Sequence, residues 1–189
     1  IYIDPYKLPD SAPDADLIFI THEHFDHFSA EDLAKISKPD TTVVVPESMA
    51  PQCATTGIAT VVPVLPGKEY QVNGICFRTV AAYNINKQFH PKTNNWVGYL
   101  IQLNNNWYYH AGDTDLVPEM SQVKADVAFL PVGGTYTTTA EEAAQAAAII
   151  KPAVAVPIHF GSVVGSVEDA QRFVKLLKTK VHGVILLKN

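Results

Sequence analysis

Cysteine is scarce in this chain: there are two, Cys53 and Cys76, and they form no C-x-x-C pair. That argues against a disulfide framework or a thiolate metal site and suits a reducing compartment. Long apolar runs are missing too. None approaches the ~18 residues of a membrane span, and no signal-peptide pattern is visible, so a cytoplasmic protein with no membrane partner is expected. The chain opens on "IYIDPY", which reads as the end of a strand, so further chain upstream is expected. Charge is thin at 17%, below the ~25% of average domains. It is also short of basic residues: 14 Lys and Arg face 19 Asp and Glu, for a net charge of −5. That balance offers no footprint for general nucleic-acid binding. The low charge leaves room for homo-oligomer contacts. No repeat or low-complexity segment breaks the 189 residues, which fit one domain spanning 1–189.

What the chain does have is alternation. "DLIFIT" (16–21), "TTVVVP" (41–46), "ATVVPVL" (59–65), "ADVAFLPV" (125–132), "AVAVPI" (153–158) and "HGVILL" (182–187) read as strands. Helices are expected at 29–37, 47–55, 137–150 and 166–179. Ser29 with Asp32 resembles a capping box, as do Thr138 or Thr139 with Glu141 or Glu142. The middle differs. Segments 69–84 and 95–113 read as hairpins, with turns at Asn73-Gly74 and at Asn104-Asn105-Asn106. Hairpins flanked by helix-linked strands suggest two sheets packed face to face with helices outside.

Three of the seven histidines fall in "THEHFDH" (21–27). His22 and His24, two apart in an extended segment, point the same way. Asp26 and His27 follow just before a capped helix. Asp113 comes directly after "WYYHA" and His159 directly after "AVAVPI". All lie just past the carboxyl ends of expected strands, where open α/β folds build sites. Imidazole and carboxylate without thiolate suit zinc, manganese or iron. Six ligands exceed one tetrahedral ion and suit two, with a carboxylate such as Asp113 able to bridge them. Such a pair lowers the pKa of a shared water towards ~7.

H-x-H-x-D-H after a strand, here His22-Glu23-His24-Phe25-Asp26-His27, resembles the signature of metallo-β-lactamase-fold hydrolases. "AGDTD" (111–115) and "PIHFG" (157–161) are similar to that family's later motifs. "IDP", "AYN" with a following "FHP", "LPVGG" and an "EEA" helix resemble the branch related to ascorbate-phosphate lactonases. The resemblance implies an α/β fold, an αβ/βα four-layer sandwich, with the family's N-terminal hairpin before "IDP" missing. It implies that His22 and His24 serve one metal, Asp26, His27 and His159 the other, and Asp113 both. At the position of the family's third histidine on the first metal stands Asn84, and His90 follows in "KQFHPK". His90 is expected to line the cleft as a hydrogen-bond donor or general acid, the alternative being that it is the missing ligand. Asn84 and Tyr136 are expected to contact substrate, with a packed aromatic as the plain alternative for Tyr136. Asp4 is expected either to hold the ligand loop through hydrogen bonds or to make a turn with Pro5. Glu23 should point away from the metals, and His110 should pack behind them.

The function expected is hydrolysis of a small-molecule lactone, phosphodiester or thioester by metal-bound hydroxide, oriented by Asp26. The cofactor expected is two divalent ions, zinc first, manganese or iron otherwise. A diiron oxidoreductase on the same fold is the main alternative, opposed by His24, where that branch carries Glu. A non-catalytic metal-binding protein is the other, and Asn84 favours it weakly.

Overall fold

The computed structural model describes residues 1–177 and 181–186. The elements in chain order are β1 (Tyr2–Ile3), β2 (Ala15–Phe19), α1 (Ala30–Ile36), β3 (Ser37–Pro46), α2 (Ala50–Cys53), β4 (Thr60–Val64), β5 (Glu69–Val72), β6 (Ile75–Ala81), β7 (Val97–Leu103), β8 (Asn106–His110), β9 (Val127–Pro131), α3 (Ala140–Ile150), β10 (Val154–Ile158), α4 (Val167–Leu176) and β11 (His182–Gly183). Val43, Val44 and Val45 form an unbroken apolar run in β3, and all three are fully buried. Such a strand must be covered on both faces, as parallel strands are. It lies inside a four-stranded parallel sheet in the order β1-β2-β3-β4.

The second sheet has seven strands in the order β11-β10-β9-β8-β7-β6-β5. Strands β5 to β8 run antiparallel as consecutive hairpins, and β8 to β11 run parallel. The two tight turns have the residues their geometry demands. Asn73 and Gly74 have φ of 50° and 78°, and Asn104 and Asn105 have 50° and 64°. Both are two-residue turns with left-handed central residues, the kind that match strand twist. Asn106, expected in the second turn, is the first residue of β8 and pairs with Leu103.

Three apolar clusters define the layers. Leu17, Phe19, Val44 and Val64 of the first sheet face Phe77, Val97, Tyr99 and Ile101 of the second. The buried Tyr99 hydroxyl donates to the Ile20 carbonyl at 2.8 Å, so this interior carries no orphaned hydroxyl there. Outside the first sheet, Ile18, Ile20, Val43 and Val45 pack on Leu33, Ile36, Met49 and Cys53 of the α1 and α2 region. Outside the second, Ala128, Leu130 and Ala155 pack on Ala143, Ala146 and Ala147 of α3 and Phe173 of α4. The order is helix, sheet, sheet, helix, the αβ/βα sandwich that the motif resemblance implied.

Some boundaries move for physical reasons. The Ser29 hydroxyl caps α1 by accepting from the Asp32 amide at 3.2 Å, but the capping box does not close. The Asp32 carboxylate accepts instead from the Lys7 and Leu8 amides, each at 2.9 Å, and so ties the β1–β2 loop to the helix. The helix expected at 47–55 breaks into the four-residue α2 between two 3₁₀ turns. Thr139 with Glu142, and Ser166 with Asp169, form complete capping boxes on α3 and α4. Residues 178–179 of the expected last helix and 187 of the expected last strand lie outside the described residues. Among its described residues, His182–Gly183 form the strand that pairs with β10. No helix among the described residues is long and apolar enough to cross a membrane.

Candidate metal centre

Strands β2, β8 and β10 end at one rim of the sandwich. His22, His24, Asp26 and His27 follow β2, Asp113 follows β8, and His159 follows β10. The rim brings all six together, and the loop after β6 adds His90. His22, His24 and His90 lie close enough for their ring nitrogens to share one ion, and so do Asp26, His27 and His159. The Asp113 carboxylate sits between these groups. Its Oδ2 is 3.3 Å from His90 Nε2, 3.2 Å from His159 Nε2 and 3.9 Å from His22 Nε2, and its Oδ1 is 3.3 Å from His27 Nε2.

The other ring nitrogens show which way each imidazole faces. Asp4 accepts from the Thr21 amide at 2.8 Å, the Thr21 hydroxyl at 2.6 Å and His27 Nδ1 at 2.7 Å. Because the Thr21 hydroxyl donates to Asp4, it accepts from His22 Nδ1 at 2.9 Å. The Asn84 side-chain oxygen accepts from His90 Nδ1 at 3.1 Å and from the His90 amide at 3.0 Å. Three imidazoles thus have Nδ1–H anchored and Nε2 turned to the centre, the orientation a metal ligand needs. His27 Nε2, His90 Nε2, His159 Nε2 and Asp113 Oδ1 are all buried without a hydrogen-bond partner. Buried polar atoms left bare are costly, so a cluster of them fits a cation. Asp4 also lies within reach of His22 and His27, but its oxygens are already engaged, which makes it a bracket for the ligands.

Electrostatics agree with a site built for positive charge. Burial would raise the Asp113 carboxyl, yet His27 and the other facing imidazoles hold it well below the usual carboxylate range. Burial would likewise raise Asp26, but His159, whose Nε2 is 3.3 Å from Oδ2, and the charge of His27 keep it lowered. Burial, then the charge of His27, holds His22 well below an ordinary histidine. His27 goes the other way. Burial would lower it, but Asp113 and Asp4 raise it well above the ordinary value.

The remaining expectations fall out as follows. Glu23 is exposed, away from the centre. His110 lies behind the site, where its Nδ1 accepts from the Gly112 amide at 3.2 Å. Tyr136 lies on the wall of the cleft that opens over Asp26, Asp113 and His159. Asn84, expected to contact substrate, has no polar atom left to do so. Its amide nitrogen donates to Asp115 Oδ1 at 3.1 Å and to the Tyr136 carbonyl at 2.9 Å, while its oxygen holds His90. His90 lines the cleft, as expected, but it is almost wholly buried and its free nitrogen faces Asp113 rather than the opening.

Two contributors, Trp96 and Asp115, were not picked out in the sequence, and a third, Gly133, only as part of "LPVGG". Trp96 is buried with its ring 5.0, 5.1 and 5.6 Å from those of His22, His24 and His90. Asp115 accepts from the Ile85 amide, Asn84 and Lys87, and so docks the loop that carries His90. Gly133 has no side chain because a Cβ there would come within 2.8 Å of the His159 carbonyl. His159 itself has a φ of 57°, a strained conformation of the kind that persists at functional sites. The second acid of "GDTD" was the available signal for Asp115.

Comparison with known proteins fits this centre. The family model of the beta-lactamase superfamily domain matches residues 2–160. A metal-dependent hydrolase of Pyrococcus abyssi is 32% identical over 205 residues, covering 98% of this chain and 88% of the relative. One of Thermococcus onnurineus is 31% identical over 204 residues, with coverage of 98% and 88%. A crystal structure from Parabacteroides distasonis, solved as that of a candidate metal-dependent hydrolase, superposes with a TM-score of 0.84 at 29% identity, covering 97% of this chain and 82% of the other. Together with the histidine motif at the rim of a four-layer sandwich, these matches show that the chain belongs to the beta-lactamase superfamily.

Proposed function

We propose that this protein is a metal-dependent hydrolase that holds two divalent ions and cleaves an ester-like bond: a lactone, a thioester or a phosphodiester. One observation carries the reading. Anchored imidazoles turn their free nitrogens to both sides of one buried carboxylate, Asp113. His22, His24 and His90 would hold one ion, Asp26, His27 and His159 the other, and Asp113 would reach both. His90 then takes the place of the third histidine on the first ion, and Asn84 orients it. An imidazole and carboxylate set without thiolate suits zinc, with manganese or iron as alternatives. When bound, the ions would make water acidic enough to react near neutral pH and offset the charge of the developing oxyanion.

The chain's own residues supply the rest. Asp26 is ionised, sits on the cleft wall and has Oδ2 3.3 Å from His159 Nε2. It is placed to orient a water and accept its proton. Asp4, Thr21 and Asn84 keep the imidazoles in the tautomer and direction the site needs, which limits reorganisation during the reaction. Trp96 closes the floor behind three of the rings and excludes water there. Tyr136 is a substrate contact. The names of the relatives agree with this class of reaction. The test is elemental analysis of reconstituted, dialysed protein together with a panel of lactones, thioesters and phosphodiesters. About two ions per chain, with hydrolysis abolished by a chelator, is expected from the ligand count. A metal content near zero under replete conditions would overturn the reading.

A further inference from the structure

Of eight phenylalanines, two are exposed: Phe25 at 65% and Phe89 at 48%. Both stand at the mouth of the same cleft, with Tyr136 and the 42%-exposed Val163. Phe25 lies between His24 and Asp26 in the histidine motif, and Phe89 directly precedes His90. Each ring is therefore carried on backbone that the centre itself holds in place. Phe89 meets Tyr136 edge-on at 4.6 Å, and Phe25 meets Tyr6 at 5.9 Å. Exposed apolar side chains are common singly, but a patch that rims a polar centre marks a binding surface. No lysine or arginine is among the described residues that line this cleft. The nearby Lys87 ammonium is engaged by Asp115.

We infer that the substrate is an uncharged carboxylic ester, lactone or thioester whose apolar chain or ring lies on Phe25, Phe89, Tyr136 and Val163, with its carbonyl towards Asp113 and Asp26. The inference rests on the hydrolase reading above and narrows its substrate class. Water adds across the acyl bond. Its oxygen bonds to the acyl carbon, the bond to the leaving oxygen or sulfur breaks, and the proton that Asp26 accepts passes to the leaving group. A phosphodiester would instead bring an anion to an apolar mouth in which no described lining residue carries a guanidinium or ammonium to meet it.

The test uses metal-loaded protein with p-nitrophenyl esters from acetate to octanoate and with bis(p-nitrophenyl) phosphate. In parallel, calorimetry measures the affinity of butanamide, hexanamide and octanamide, which are uncharged and resist hydrolysis. Each added CH₂ should raise kcat/KM and amide affinity by up to about fourfold, the full value of burying a methylene. Phe25→Ala and Phe89→Ala should flatten both series, and the phosphodiester should react more slowly than any ester. A flat or falling ester series, or a preference for the phosphodiester, would overturn the inference while leaving the hydrolase reading intact. If nothing is hydrolysed with two ions bound, the hydrolase reading fails, and the amide series alone decides. Flat amide affinities then overturn the subsite, and a rising series that both variants abolish keeps it.

Discussion

Replacing Asp4 by Asn should weaken metal binding although Asp4 is proposed to touch no metal. Its carboxylate accepts from His27 Nδ1 at 2.7 Å, and from the Thr21 hydroxyl, which in turn holds His22 Nδ1. One side chain therefore sets the tautomer of two imidazoles, one in each ligand group. Asn is nearly isosteric and its oxygen can still accept from the Thr21 amide, so the loop keeps an anchor. Its NH₂, however, would face the His27 Nδ1–H, donor against donor. To escape, His27 must give up its Nδ1 proton and keep one on Nε2, the nitrogen that faces Asp113 Oδ1 at 3.3 Å. Loss of such an outer partner costs roughly 10- to 100-fold in metal affinity, which is about 1.4–2.7 kcal/mol. The assay is competition against a chelator of known affinity, with circular dichroism to confirm the fold. Asp14→Asn, an exposed acid, serves as the control. A folded Asp4→Asn protein that binds both ions with wild-type affinity would refute the bracket argument.

Asp113→Ala should lose both ions, and His159→Ala only one, by elemental analysis. Equal single-ion losses would contradict a shared carboxylate. His90→Ala should lose the ion held with His22 and His24, and Asn84→Ala should weaken that ion without abolishing it, since it removes only the orienting hydrogen bonds. Retention of both ions by His90→Ala would return His90 to a role in the cleft. Metal binding at pH 7 should release close to one proton from His27. Burial would lower this group, but Asp113 and Asp4 raise it well above the ordinary value, so the metal-free ring is protonated at neutral pH and must lose that proton to become a ligand. Release should shrink as the pH rises through the raised value. Calorimetry in buffers of different ionisation enthalpy reads it, and no release at pH 7 would count against the protonated state.

Most of the fold was legible because its signals are local. Runs such as Val43-Val44-Val45 announce a buried parallel strand, and the Asn-Gly turn announces a hairpin. The errors are equally local in origin. Asp32 has the spacing of a capping box, but two amides from the β1–β2 loop compete for its carboxylate and win. Segment 47–55 has helical composition, yet Pro51 and the left-handed Gly57 confine it to short turns. That the six candidate ligands would come together was legible for a different reason. All lie in the loops that follow β2, β8 and β10, so sheet order and the packing of the two sheets place them on one rim.

The brackets were hidden because they depend on contacts far apart in sequence. Asn84 and His90 are separated by a loop that no periodicity describes. What fixes it is a set of bonds to residues about thirty positions on. Asp115 takes the Ile85 amide, the Asn84 side chain and Lys87, and the Asp115 amide reaches the Tyr83 carbonyl at 2.9 Å. The Asn84 amide then closes the loop on the His90 carbonyl at 2.7 Å. Asp4 depends on β1, a strand of two residues that pairs with β2 in the register Ile3 to Phe19. That register, with the Asp4 amide on the Phe19 carbonyl at 2.9 Å, carries the Asp4 carboxylate to Thr21 and His27. So short a strand adds little to the core. Its position makes more sense as the support of Asp4, whose φ of 47° turns the chain there at a cost in strain. A ligand can be read from a strand end, but the group that aims it can be read only once the strands are paired.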